Sequence, residues 1–70
     1  MQIHFLFGRR IRHLRHKAGM TQERLAELAR LSPVSVSNIE RGIHAPSFRR
    51  LPNLANALQV ALHELFIFDE

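Results

Sequence analysis

The chain has 70 residues and no cysteine, with 46% hydrophobic residues, 23% charged residues and a formal net charge of +4. It can hold no disulfide framework, is too apolar for a disordered chain, and contains no run of about 18 apolar residues that could span a membrane. One small soluble domain is expected, with a core that needs close packing or an oligomer partner.

Charge is unevenly placed. Residues 1–50 hold all ten Lys and Arg and three acids, a net +7, whereas residues 51–70 hold three acids and no Lys or Arg, a net −3. One end suits a polyanion and the other does not. The leading "IHFLF" precedes "GRRIRHLRHK", the reverse of the order in a secretory signal, and this serine-free stretch reads as part of the fold rather than as a targeting segment.

From about Phe5 to Lys17, the residues Phe7, Ile11, Leu14 and Ala18 fall at helical spacing, and Arg9, Arg10, Arg12, His13, His16 and Lys17 fill the other faces. Gly19 is the expected stop. Thr21 caps a second helix over roughly 22–29, with Leu25, Ala26 and either Leu28 or Ala29 facing inward. Arg24 occupies the position where Glu or Gln would complete a capping box.

The stretch "SPVSVSNIER" admits two readings. Its alternation of Val and Ser suits a half-buried strand. However, Ser32 is a good N-cap, Pro33 suits the first helical position and Gly42 supplies a stop, while nothing else in the chain reads as β. The spacing therefore predicts a third helix with Val36, Ile39 and Glu40 on one side. Pro33, Val34, Ser37, Asn38 and Arg41 look away.

Pro46 and Ser47 begin a further element that continues through "LPNLANAL", with Leu51, Leu54, Ala55 and Leu58 inward. Pro52 lies either in the first turn of a helix starting near Leu51 or after a distorted turn. A last short helix is expected over Leu62 to Phe66. The prediction is an all-α chain of five short helices with tight connections.

Two short helices joined by a tight turn, the second presenting small and polar residues, form a helix-turn-helix arrangement over about 22–41. With "AGMTQERLA", "VSNIERG", "PSF" and "LHELF" in place, the chain resembles the phage repressor and Cro-type helix-turn-helix family across residues 5–68. The resemblance implies a compact five-helix domain of the lambda-repressor-like type, acting in the cytoplasm of a bacterium or phage host as a small transcriptional regulator. Repression by occupying a double-stranded DNA operator is the expected activity.

The resemblance also implies roles. Val34 to Arg41 would be the recognition helix, with Ser32 and Pro33 at its start and Pro33, Val34, Ser37 and Asn38 toward base edges. Asn38 suits bidentate pairing with adenine and Val34 a thymine methyl. Thr21 and Gln22 would meet a phosphate at the start of helix two. Arg41, His44 and Arg49 or Arg50 would grip the backbone. Arg15 and Glu40 would form a partly buried ion pair between helices one and three. The chain departs from the family at Arg30 and Gln59, where glycine is common, and at Ala61, where a capping Ser is common.

Phe66, Ile67 and Phe68 form a run too hydrophobic for a free tail. A twofold homodimer formed near these residues, with half-sites about 34–36 Å apart, is expected; the alternative is that Phe66 and Phe68 finish the monomer's core. Other classes find less support. His13 and His16 are at i, i+3, but no cysteine or sequence-local carboxylate completes a metal set, so neither metal nor cofactor is expected. No Ser, His and acid grouping is signalled, so an enzyme is not expected. The apolar residues of helix one are needed for a core, which argues against a membrane-surface role. An antitoxin that binds a toxin as well as its promoter, or an interaction module without DNA binding, are the alternatives. Seventy residues leave no room for a ligand-sensing domain, so control is expected through concentration, a partner or proteolysis.

Overall fold

A computed structural model describes residues 2–68. Along them run α1 (Ile3–Lys17), α2 (Gln22–Ala29), α3 (Pro33–Glu40) and α4 (Leu51–Leu58), with short 3-10 turns at Phe48–Arg50 and Leu62–Phe66. There is no strand among the described residues. Four α-helices rather than five are therefore present. The expected last helix is a 3-10 turn, because so short a segment cannot repay α-helix nucleation, and the chain is already extended at Ile67. Its start is held by the Glu64 carboxylate, which accepts from the Ala61 N–H at 2.9 Å; Ala61 has no side-chain oxygen to return the bond. Two of the three acids of the C-terminal part, Asp69 and Glu70, lie outside the described residues.

The helix starts follow from their caps. Thr21 Oγ1 accepts from the Arg24 N–H at 3.0 Å, and Ser32 Oγ from the Ser35 N–H at 3.0 Å. Each satisfies one N–H that the first turn leaves without a helical partner. Both alternatives at Pro52 coexist: a 3-10 turn precedes α4, and Pro52 occupies its first turn, where no N–H is needed.

All four helices end in the same way. A residue in left-handed backbone follows each, namely Gly19 (φ 72°), Arg30 (φ 61°), Gly42 (φ 75°) and Gln59 (φ 58°). The next N–H then bonds five residues back: Met20 to Arg15, Leu31 to Ala26, Ile43 to Asn38 and Val60 to Ala55, at 2.9–3.1 Å. This is a Schellman ending, in which an apolar residue after the stop packs back onto the helix. Met20, Leu31 and Val60 do pack against the core.

The core is built on Ile11, Leu25, Val36, Ile39, Leu54 and Leu65, each almost fully buried. α1 packs on α3, α2 lies against both α3 and α4, and the last turn closes over α1 and α4. The α1–α3 crossing is set by Gly8. A Cβ there would stand 2.2 Å from the Ile39 carbonyl oxygen and 2.9 Å from that of Glu40. Glycine's cost inside a helix is thus exchanged for a close approach of two backbones.

Arg10 differs from the other basic residues that fill the faces of α1 beside its apolar stripe, apart from Arg15. It is buried, and its Nε donates to the Glu64 carbonyl at 2.8 Å, tying α1 to the last turn. Of the two inward alternatives on α2, Ala29 is buried and Leu28 exposed.

Candidate nucleic-acid interface

The outer side of α3 follows from its helical period. Val36, Ile39 and Glu40 point into the protein, which leaves Pro33 and Val34 exposed, Val34 at 68%. Ser37 and Asn38 are half-buried at the edge of that face, and Arg41 is exposed at its C-terminal end. Thr21 and Ser32, also exposed, have their side-chain oxygens engaged as caps.

One buried carboxylate fixes this face in space. Glu40 Oε2 accepts from Arg15 Nε at 2.6 Å, and Glu40 Oε1 accepts from Arg15 Nη2 at 3.0 Å and from Gln22 Nε2 at 3.1 Å. Arg15 Nη1 donates to the Met20 carbonyl at 2.9 Å. The two charged side chains are only 10% and 3% exposed. Helices α1, α2 and α3 therefore share one charge-assisted cluster, in which the bidentate fork limits rotation of α3 against α1 and the Gln22 amide joins α2 to it. Among the described residues, no buried side-chain nitrogen or oxygen lacks a partner.

In front of this cluster lies an open cleft of about 250 Å³, bordered by Arg12, Arg15, Gln22, Ser37, Glu40 and Arg41. Gln22, Ser37 and Arg41 of the sequence-predicted set thus come together, while His44 and Arg49 are exposed on the segment after α3 and do not border the cleft. Arg12 was not singled out by sequence. Its place three residues before Arg15 on α1 was the available signal, since i and i+3 share a helix side.

A protein-family profile described as a helix-turn-helix domain matches residues 6–65. The chain belongs to the Cro/C1-type helix-turn-helix family of DNA-binding transcription regulators. It is 38% identical over 61 residues to an uncharacterized HTH-type transcriptional regulator of Archaeoglobus fulgidus, covering 87% of each chain. It is 36% identical over 67 residues to the control protein C.BamHI of Bacillus amyloliquefaciens, covering 94% of this chain and 83% of that one. Among solved structures, the restriction-modification controller protein C.AhdI from Aeromonas hydrophila superposes with a TM-score of 0.87 at 40% identity, over 90% of this chain and 96% of the other.

The far end of this helix-turn-helix protein is different in kind. Phe66 lies against Phe7 with ring centroids 5.3 Å apart and remains 41% exposed. Phe68 meets Phe66 edge-on at 6.2 Å and packs against the core, and Ile67 is half-buried. Beside them an apolar groove of about 140 Å³ is bordered by Ile3, Phe7, Pro46, Phe48, Leu51 and Phe66. Phe48, in the "PSF" motif, is 89% exposed and was not foreseen as part of this surface.

No helix among the described residues is long and apolar enough to cross a membrane. Nor does any group of three His, Cys, Asp or Glu come together there as a metal site would require.

Proposed function

We propose that the protein represses transcription by binding a two-fold symmetric duplex operator as a homodimer, with one α3 in the major groove of each half-site. The observation that carries this reading is the Glu40 cluster. It holds α3 rigidly while leaving Val34, Ser37 and Asn38 toward solvent.

In this reading Asn38 pairs with adenine through its amide, Val34 touches a thymine methyl, and Ser37 donates to or accepts from a base edge. Pro33 and Ser32 open the helix and set its approach. The first-turn N–H groups at Thr21 and Gln22 face a phosphate, as helix N-termini do. With its side-chain amide committed to Glu40, Gln22 fixes register and reads no base. Arg41, His44 and Arg49 hold the backbone at a salt-dependent strength shared by all sequences.

Support for the second copy comes from Ile3, Phe48 and Phe66, which leave contiguous apolar surface in water where an isolated monomer gains nothing from it. A single module of this size buries only about 600–1,000 Å² on DNA. Pairing two modules multiplies both affinity and specificity.

The test is selection of bound duplexes from a random pool, followed by anisotropy titration of the winners at two salt concentrations. The expected result is a palindrome with half-sites about 10 bp apart. An unenriched pool, with binding that disappears as salt rises, would overturn it. Sedimentation that shows only monomer at tens of micromolar would remove the dimer.

A further inference from the structure

α1 carries a row of basic side chains that neither the fold nor α3 employs. Arg9, Arg12, His13 and His16 are all exposed and border one open cleft, which has no acid among its lining residues. The partnered cations differ: Arg10 holds the Glu64 carbonyl, Arg15 holds Glu40, and Arg24 pairs with Glu27 at 2.8 Å. Among the described residues, Arg12, His13 and His16 have no hydrogen-bond or ion-pair partner. Arg9 has only the Phe5 ring, 5.9 Å from its guanidinium carbon.

The row is continuous with the reading face. Arg12 borders both this cleft and the one formed with Gln22, Ser37 and Arg41. The sole carboxylate bordering either cleft is Glu40, already neutralised by Arg15. From Arg9 to His16 the helix rises about 10 Å, a length comparable with the spacing of consecutive phosphates along one strand of a duplex. Like charges spaced i, i+3, as Arg9 and Arg12 are, repel one another on a bare helix, and a polyanion laid along them reverses the sign of that interaction.

We propose that Arg9, Arg12, His13 and His16 form a second grip on the phosphate backbone of the same duplex. The row carries the contact from the half-site onto flanking DNA of any sequence. This rests on the DNA-binding reading above and adds a surface to it. The arginines supply charge, and each imidazole supplies an N–H donor to a phosphate oxygen.

The experiment compares the 70-residue chain with its Arg9→Gln/Arg12→Gln variant on the selected duplex between about 50 and about 200 mM salt. The same duplex is then trimmed to the operator's edges. An Arg24→Gln variant, which removes a charge already paired on α2, serves as the control. The slope of log affinity against log salt should become shallower by about 1.8 in the double variant, the value for two lost phosphate contacts. Base preference and melting temperature should be unchanged, and the loss should shrink on the trimmed duplex.

An unchanged slope, with operator binding intact, would overturn the second grip alone. So would an equal change per charge in Arg24→Gln, because net charge rather than this row would then be responsible. Failure of the unsubstituted protein to bind any duplex would instead remove the functional reading, and the second grip with it.

Discussion

The two ends of this small domain treat their surfaces in opposite ways. Around the α2–α3 turn, the polar groups behind the outward face are tied down: one carboxylate takes three N–H bonds, and two hydroxyls cap two helices. Around the start of α1 and the two 3-10 turns, apolar side chains are left out, with Phe48 almost wholly in water. In the proposed reading, the first face matches a fixed pattern of base edges and gains from rigidity, and the second joins another copy and gains from area that is costly to leave exposed.

The largest expected effect comes from breaking the rigid end. Arg15→Ala strands the Glu40 carboxylate, which is 3% exposed, with only the Gln22 amide as partner. A loss of about 3–5 kcal/mol is expected, read from urea unfolding. Arg15→Lys should recover little of it, because a point charge cannot reproduce the fork that meets both oxygens. Full stability in Arg15→Ala, with DNA affinity alone lost, would move Arg15 from the scaffold to the contact surface.

Breaking the open end should do the reverse. Phe48→Ser removes a ring that touches little of its own chain, so monomer stability should stay within about 0.5 kcal/mol. Self-association should weaken by at least ~2 kcal/mol if the ring anchors the proposed dimer. Sedimentation across a concentration series reads this directly. An unaltered association constant would place the interface elsewhere.

Asn38→Ala sharpens the comparison inside the rigid end, since Asn38 faces outward from a helix whose inward side it does not support. Folding should be retained, while discrimination at one base pair of each half-site drops by about 1–3 kcal/mol. An even loss at every position would make Asn38 a backbone contact.

Much of this was legible in the sequence because each of the four helices carries an apolar period with at least one boundary signal. At α3, Ser32, Pro33 and Gly42 outweighed the Val–Ser alternation, and the helix is present. The last element was read as an α-helix because five residues of "LHELF" fit either helix type, and only hydrogen-bond spacing separates them. Arg10, one of the residues that fill the faces beside the apolar stripe of α1, stands three residues after Phe7 and four before Leu14, on the edge of that stripe, and its burial follows from this. Gly8, in a helix interior, is a sequence sign of a close approach, but the partner it meets, the end of α3, comes from the fold. The surface around Phe48 was hidden for a different reason. Phe48 belongs to the element that begins at Pro46 and Ser47, but its neighbours Ile3 and Phe66 come from opposite ends of the chain.

The smallest effect concerns the helix ends, where the two halves of the molecule share one departure. Arg30 at the end of α2 and Gln59 at the end of α4 both hold left-handed backbone, at φ 61° and φ 58°. Gly19 and Gly42 hold the same conformation without a Cβ. The bond that follows each stop is as short after Arg30 (2.9 Å) and Gln59 (3.0 Å) as after the glycines, so the turn itself is fully formed. What remains is the local cost of a side chain in that region, about 1 kcal/mol, partly offset because glycine loses more backbone entropy on folding. Arg30→Gly and Gln59→Gly should each raise stability by about 0.5 kcal/mol, additively, since the two turns share no partner. Thermal unfolding of the two single variants and the double measures this. A gain at Gln59 with a loss at Arg30 would show that the Arg30 side chain supports the helix-turn-helix in a way the backbone geometry alone does not require.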